Sequence, residues 1–389
     1  MVSRARRSFL GDWWWTVDKP LLAAFGVLML CGVVFLMAGG PPVAQRLRLD
    51  TFHFVNRQAL FLVPAIATML FVSLLTPRLV RRFSLLAFVG SLALVWAALR
   101  FGPEIKGAHR WIFIFGMGLQ PSEFLKPAFV VLAAWAFSEK ARSDMPGPAL
   151  ALLLLPISIV PLILQPDFGQ TMLITVVWAA MFFVAGLHWF WVMGLGGAGI
   201  AGILAAYQFL PHVRGRIERF LSEDGGDRFQ VEAALNSFTS GGWLGRGPGE
   251  GTFKRILPDA HTDFIFAVTA EEFGIAICLF IVAVYLFIVL RGLSLARRAE
   301  DAFSRLAVTG LLLMFGLQAA INMAVNVHLV PAKGMTLPFI SYGGSSLISL
   351  AFATGCIIAL TRRRPGADGL EASVEARREA PRGYVVRPA

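Results

Sequence analysis

The sequence predicts an all-α polytopic membrane protein of about ten transmembrane helices with one long extracytoplasmic loop. Composition carries most of that expectation. Of 389 residues 57% are hydrophobic and only 15% charged, against roughly a quarter charged in an average soluble domain. Mean hydropathy is +0.68, and with 33 Phe and 10 Trp most of the apolar surface must face lipid or other buried helices. Apolar runs of spanning length also recur along the chain. An ordinary soluble enzyme is thereby excluded. A net charge of +11 would elsewhere suggest nucleic acid, but here the charges are first sorted by membrane side, because cytoplasmic loops collect Lys and Arg. No nucleic-acid partner is expected. Cys31, Cys278 and Cys356 lie inside apolar runs without paired spacing, so neither a disulfide framework nor a zinc site is available.

A spanning helix needs about 20 mostly apolar residues. Such runs lie near 21–38, 59–75, 83–99, 124–138, 149–164, 168–186, 189–210, 264–290, 306–328 and 343–360. The first is too long for a signal-peptide core and lacks a small-residue cleavage site, so it reads as a retained anchor behind the interfacial Trp13, Trp14 and Trp15. Ten spans put both termini on one side. With Lys126 assigned to the fourth helix, that side carries 20 Lys and Arg and the opposite side 14, seven of them in the long loop where the positive-inside bias is weak. Short loops alone, 20 against 7, make both termini cytoplasmic. The organisation is then a cytoplasmic segment 1–20, a transmembrane domain 21–360 with its large outer loop at 211–263, and a tail 361–389. The tail is charged, polar and Pro-containing, which predicts disorder, and its Arg362-Arg363-Arg364 cluster suits anionic headgroups.

The outward-facing segments are 39–58, 100–123, 165–167, 211–263 and 329–342, and every unusual polar motif falls in one of them. Polar groups drawn from distant parts of a membrane chain to one face normally line a site or a pathway. The first motif runs from Lys106-Gly107-Ala108-His109-Arg110-Trp111-Ile112 into Gln120-Pro121-Ser122-Glu123-Phe124-Leu125-Lys126-Pro127. Pro121 and Ser122 suit a helix start, with Glu123 in the first turn at the positive end of the dipole. A well-capped helix does not account for Lys126, an ammonium about one turn below the surface that needs a partner. Glu123, three residues earlier on the same face, can supply one. Lys126 therefore reads either as a cation for a phosphate or sugar or as half of a structural ion pair. Arg110 and Trp111 read as ligand contacts or as an interfacial anchor.

The second motif, Gln165-Pro166-Asp167-Phe168-Gly169-Gln170, is a tight outward turn in which Asp167 can cap the following helix while sitting at the rim of the bundle. In the third, a loop of about fifty residues without clear periodicity ends in Leu257-Pro258-Asp259-Ala260-His261-Thr262-Asp263-Phe264. Its Gly241-Gly242-Trp243 and Gly245-Arg246-Gly247-Pro248-Gly249-Glu250-Gly251 make tight turns but match neither a P-loop nor a dinucleotide fingerprint. Asp263 reads as a first-turn carboxylate beside a capping Thr262, or as an acid next to His261 whose desolvation suits it to be a general base. Glu271 and Glu272 lie about 12 to 14 Å deeper at a rise of about 1.5 Å per residue. One can pair with another span while the other faces a cavity, as a proton-coupled transporter would need. The fourth motif, Val330-Pro331-Ala332-Lys333-Gly334-Met335-Thr336-Leu337-Pro338-Phe339-Ile340-Ser341-Tyr342-Gly343-Gly344-Ser345-Ser346, brings irregular backbone to membrane depth. That is tolerated where protein or water covers it, which suggests a cavity wall, and its small residues suggest close helix packing.

GAHRWI, QPSEFLKP, QPDFGQ, HTDFIFAVTAEEFG and GMTLPFISYGGSS, in this order on this topology, resemble the SEDS family of shape, elongation, division and sporulation proteins, over about residues 20 to 360. The loop wording GRGPGEGTFKRILPDAHTDF is closer to the division branch than to the elongation branch. The resemblance implies a peptidoglycan glycosyltransferase that polymerises lipid II at the outer face of the cytoplasmic membrane during septal wall synthesis. It also implies a cognate class B penicillin-binding protein, an FtsI-like transpeptidase, and other divisome membrane proteins as partners. By motif, Asp263 matches the family's essential loop aspartate, Trp111 its loop tryptophan and Lys126 the lysine opening the fourth helix. Arg110, Glu123, His261, Thr262, Asp167 and Ser341 join Lys126 and Trp111 as substrate-binding candidates. Where some members have an Arg eight residues before that lysine, this chain has Gly118, which shifts any phosphate contact there to Arg110. A divalent cation, Mg or Mn, is a possible aid for which the sequence offers no dedicated cage. A lipid II flippase and an inactive division scaffold are the competing expectations.

Overall fold

The computed structural model describes the chain except for residues 1–8, 106, 115, 140–145, 187–188, 210–213, 216–217, 219–225, 332–333 and 363–389. Lys106, Lys333, part of the long loop and the tail from residue 363 thus lie outside the described residues. The chain divides into two units. The smaller joins the residues up to Asp18 with those from Arg362, and its helix α1 (Phe9–Thr16) leaves Trp14 and Trp15 exposed.

The larger unit, Lys19–Thr361, is a helical bundle. Its helices are α2 (Lys19–Arg46), α3 (His53–Ser73), α4 (Pro77–Phe101), α5 (Pro121–Ser138), α6 (Gly147–Leu164), α7 (Phe168–Val184) and α8 (Trp189–Phe209), then α9 (Gly226–Gly241), α10 (Ile265–Arg297), α11 (Ala302–Asn326) and α12 (Gly344–Thr361). A helix covers each of the ten apolar runs. Among the described residues seven of them, α2, α3, α4, α6, α10, α11 and α12, are long and apolar enough to cross a membrane, and α7 is a shorter apolar helix. Several overrun the predicted limits. The α2 helix continues through Pro41 and Pro42 to Arg46, and α4 starts at Pro77, where the Thr76 hydroxyl accepts the Leu79 N–H at 3.3 Å. Apolarity marks only the stretch that needs hydrocarbon, whereas capping sets where a helix ends.

Helix α5 is the central element, buried almost throughout and packed by α4, α6, α7, α11 and α12. Residues 334–343 dip into the bundle as irregular backbone against α2, where a side chain at Gly32 would meet the Phe339 carbonyl at 2.1 Å. Phe339 joins Phe25 and Phe315 with ring centroids 5.8 to 6.2 Å apart. The backbone there is satisfied by side chains, as buried irregular structure requires. Tyr285 Oη donates to the Pro338 carbonyl, Gln318 to that of Thr336 at 3.1 Å and Asn322 to that of Met335 at 2.6 Å. Close packing at the start of α12 also holds, because a side chain at Gly344 would run into the Phe61 ring at 2.6 Å.

Three features depart from the sequence expectation. A short antiparallel hairpin, β1 (Ile112–Ile114) and β2 (Met117–Leu119), interrupts the all-α pattern. The long loop contains α9, whose Ala233, Ala234 and Ser237 are buried as it lies along α10. Finally, the chain after α9 enters a break in α10 at Gly274, which has φ 84° and ψ 170°. In an unbroken helix the N–H groups of Ile275 and Ala276 would donate to the carbonyls of Glu271 and Glu272. Here they donate to Gly242 and Trp243 at 2.9 and 3.3 Å, while those two glutamate carbonyls accept from Arg246 and Gly247 at 2.9 and 3.0 Å. The loop thus replaces two rungs of the helix one for one.

The carboxylates of Glu271 and Glu272 complete the same joint. Glu271 accepts from the backbone of Thr252, Phe253 and Lys254 at 2.5 to 3.1 Å and from the Thr252 hydroxyl at 3.3 Å. Glu272 pairs with Lys254 Nζ and accepts the Gly249 N–H at 3.1 Å. Both acids engage the loop, so neither takes the cavity-facing position expected for one of them. Lys254, a loop cation 17 and 18 residues away in sequence, is the partner that local spacing did not reveal.

Candidate functional site at one end of the bundle

The ends of α5, α7, α10, α11 and α12 that adjoin the hairpin and the long loop gather the polar side chains. Glu123 lies in the first turn of α5, and Lys126 one turn on places its Nζ 2.9 Å from Glu123 Oε2 and 2.9 Å from Gln318 Oε1 of α11. Both charged residues are buried, Lys126 at 1% and Glu123 at 4% exposure. Gln170 on α7 donates to Glu123 Oε1 at 2.7 Å, and Ser349 on α12 to the Glu123 carbonyl at 2.6 Å. The expected ion pair therefore exists and is tied to three other helices.

Arg110 and Asp167 join this network from outside. Arg110 lies 3.9 Å from Asp167 and donates to the Gln165 and Pro166 carbonyls at 3.1 and 2.5 Å, holding the turn between α6 and α7. Asp167 occupies the N-cap position of α7, where the Gln170 backbone N–H lies close enough to favour its carboxylate although no capping bond of full geometry forms. Its carboxylate also accepts from Gln120 at 3.4 Å, and it is buried in the turn at the end of the bundle. Burial pushes its pKa above the ordinary value of 3.8, opposed first by the Arg110 charge and reinforced by Glu123. Trp111 stays with the hairpin: a side chain at Gly118 would meet its ring at 3.3 Å, so the aromatic covers that position.

Asp263 belongs to a second group. Helix α10 begins at Ile265 with Phe264 as a cap residue that makes no side-chain bond, so Asp263 precedes the first turn and Thr262 does not cap it. The Thr262 hydroxyl donates to the Asp259 carbonyl at 3.2 Å, and the Thr262 carbonyl accepts from Ser341 Oγ at 2.5 Å. Tyr342 N–H donates to the His261 carbonyl at 3.0 Å, and the buried His261 ring stacks on Phe54 with centroids 4.3 Å apart. Asp263 itself is half-buried. Its carbonyl accepts from Asn322 and Asn326 at 3.0 and 2.9 Å, and Gly334 lies alongside, where an added Cβ would stand 3.8 Å from Asp263 Oδ2.

The sequence reading missed the element that joins the two groups. Gln318, Asn322 and Asn326 recur every four residues on α11, spanning about 12 Å at about 1.5 Å per residue, and hold Lys126 at one end and Asp263 at the other. Carboxamides at that spacing in an apolar helix were the available signal. Among the described residues no three His, Cys, Asp or Glu side chains gather as metal ligands. The amides beside Asp263 turn N–H donors to its carbonyl.

A family model for cell cycle proteins, covering FtsW, RodA and SpoVE, matches residues 19–365. The chain belongs to this family. It is 44% identical over 369 residues to a probable peptidoglycan glycosyltransferase FtsW of Caulobacter vibrioides, covering 94% of this chain and 95% of the relative. It is 33% identical over 359 residues to a protein of the same name from Geobacter sulfurreducens, covering 90% and 96%. Among solved structures it resembles a chain of a peptidoglycan synthase complex that coordinates polymerization and crosslinking, with a TM-score of 0.75, 26% identity and coverage of 90% and 98%. It also resembles the rod shape determining protein RodA of Thermus thermophilus, in mutant form, with a TM-score of 0.67, 25% identity and coverage of 90% and 98%. This FtsW/RodA/SpoVE relative is a multi-pass membrane protein with a helical fold of that family.

Within this family fold the buried pair makes a testable separation between structure and ligand binding. Lys126→Ala strands a buried carboxylate and is expected to cost about 3 to 5 kcal/mol. The double variant Glu123→Gln with Lys126→Met is expected to regain most of the lost melting temperature, because no charge then remains uncompensated. Activity restored along with stability would assign Lys126 a purely structural role.

Proposed function

We propose that this protein is a peptidoglycan glycosyltransferase that polymerises lipid II into β-1,4-linked glycan strands at the outer face of the cytoplasmic membrane, at the division septum. The names of its relatives and its likeness to a chain of a peptidoglycan synthase complex support the activity. In this reading ten spans leave both termini in the cytoplasm, and a class B penicillin-binding protein crosslinks the product. Other divisome membrane proteins complete its surroundings.

The observation that carries the mechanism is the half-buried Asp263, whose carbonyl two carboxamides hold while Gln318 on the same helix holds Lys126. Asp263 takes the proton from the GlcNAc 4-hydroxyl of one lipid-linked disaccharide as that oxygen bonds to the MurNAc anomeric carbon of another. The bond from that carbon to the diphosphate breaks, and the lipid diphosphate leaves with its electron pair. Displacement inverts the anomeric centre and gives the β link. Arg110 is partly accessible and Lys126 sits behind it in the buried network, so Arg110 meets the departing diphosphate first and Lys126 adds its charge from below. Trp111, Glu123, His261, Thr262, Asp167 and Ser341 shape and hold this surface.

The deciding experiment supplies lipid II to the full chain with its transpeptidase partner in the presence of penicillin. Glycan strands are expected, because the transpeptidase alone is inhibited. Translocation of lipid II across liposomes without polymer would favour a flippase, and neither activity would favour a scaffold.

A further inference from the structure

The three α11 carboxamides have no part in the proposed proton transfer, yet two of them converge on Asp263. Asp263 O receives two amide donors, Asn322 Nδ2 at 3.0 Å and Asn326 Nδ2 at 2.9 Å. Asn326 Nδ2 also donates to the Asn322 carbonyl at 2.8 Å, and its Oδ1 accepts the Ala267 N–H at 3.0 Å. Ala267 is the third residue of α10, whose own cap residue makes no side-chain bond. Asn326 therefore supplies from a neighbouring helix the capping acceptor that α10 lacks. One turn earlier Asn322 ties the Met335 carbonyl, and a further turn earlier Gln318 binds Lys126 and Thr336.

We propose that Gln318, Asn322 and Asn326 are positioning residues which fix the Asp263 carboxylate relative to the incoming sugar hydroxyl and to Lys126. The inference deepens the glycosyltransferase reading and rests on it. With the Asp263 peptide plane pinned on its carbonyl side and the first turn of α10 capped from α11, the backbone that carries the carboxylate is held in place. A shift of about 1 Å in a catalytic group costs about 100-fold in rate. Two donors fill both lone pairs of the Asp263 carbonyl, and the same helix face continues to Gln318 on Lys126, so one stripe of amides links the base to the buried cation.

Two variants separate positioning from folding. Asn322→Ala removes one donor to Asp263. Asn322→Leu removes the same donor with a side chain of similar shape and buries no charge, and it leaves Asn326 to accept the Ala267 N–H, so the α10 cap remains while the carbonyl loses one of its two holders. Lipid II polymerisation is measured for the full chain with its transpeptidase partner, alongside the melting temperature and the pH–rate profile. The expected result is a fall in turnover of about 10- to 100-fold at near-parental half-saturation for lipid II, with the acid limb of the profile displaced and melting close to parental. Parental turnover in both folded variants would overturn the proposal, as would failure of both to fold, since the amides would then be structural only. Asp263→Asn is run in parallel. If it is inactive while both amide variants are fully active, the positioning role alone fails. If it polymerises normally, the base assignment itself fails, whatever the amide variants do.

Discussion

Asp263→Asn is expected to leave the bundle folded and to lower lipid II polymerisation by about 100- to 10,000-fold, the usual contribution of a positioned general base. The backbone of residue 263 is fixed in the bundle: its N–H donates to the Asp259 carbonyl at 3.1 Å and its carbonyl accepts from Asn322 and Asn326. An amide of the same shape leaves all of these in place. It removes the site that would take the proton. The measurement is glycan formation per folded molecule, with melting temperature as the folding control. An Asn variant that polymerises at the parental rate would remove Asp263 as the base and with it the sequence of bond changes proposed above. Lys126 would then have to be judged on its own, through the pair with Glu123.

Much of this architecture could be read from the amino acids because lipid imposes a simple rule. Every apolar run became a helix, since a chain in hydrocarbon must satisfy its backbone internally. The Glu123–Lys126 pair was also legible, because i and i+3 residues share a helical face. Relations across helices were not. The Arg110–Asp167 contact joins a loop before α5 to the turn before α7, and nothing local in the sequence announces that partner. The amide stripe on α11 was visible as a four-residue spacing, but its purpose depends on which helices lie opposite. The exchange at Gly274 is least legible of all: it needs a glycine break in one helix and a glycine-rich loop from another place to meet in register. Adjacent Glu271 and Glu272 suggested a proton path, whereas their partners proved to be loop amides and Lys254.

Gly274→Ala is expected to have a large structural effect for a single added methyl group. At φ 84° and ψ 170° an L side chain is strained, and the new Cβ would stand 2.3 Å from the Trp243 carbonyl and 2.5 Å from the Gly245 nitrogen. Gly245 faces the same crowding from the other side, with φ 81° and a Cβ position 2.1 Å from the Glu272 carbonyl, so neither chain can yield without parting from the other. Alanine also favours helix over glycine by about 1 kcal/mol, which biases α10 toward its own rungs from Ile275 to Glu271 and from Ala276 to Glu272. The combined cost to the native joint is about 3 kcal/mol or more. Hydrogen exchange distinguishes this from general unfolding: Arg246 and Gly247 amides should lose protection while Ile275 and Ala276 keep theirs by returning to helical partners. Polymerisation should fall as well, because residues 257–263 continue directly from the displaced loop to Asp263. Gly90→Ala on α4 is the matched control, since an added Cβ there meets nothing within 4 Å. Equal melting temperatures and equal exchange for the two variants would show that the loop does not depend on the break in α10.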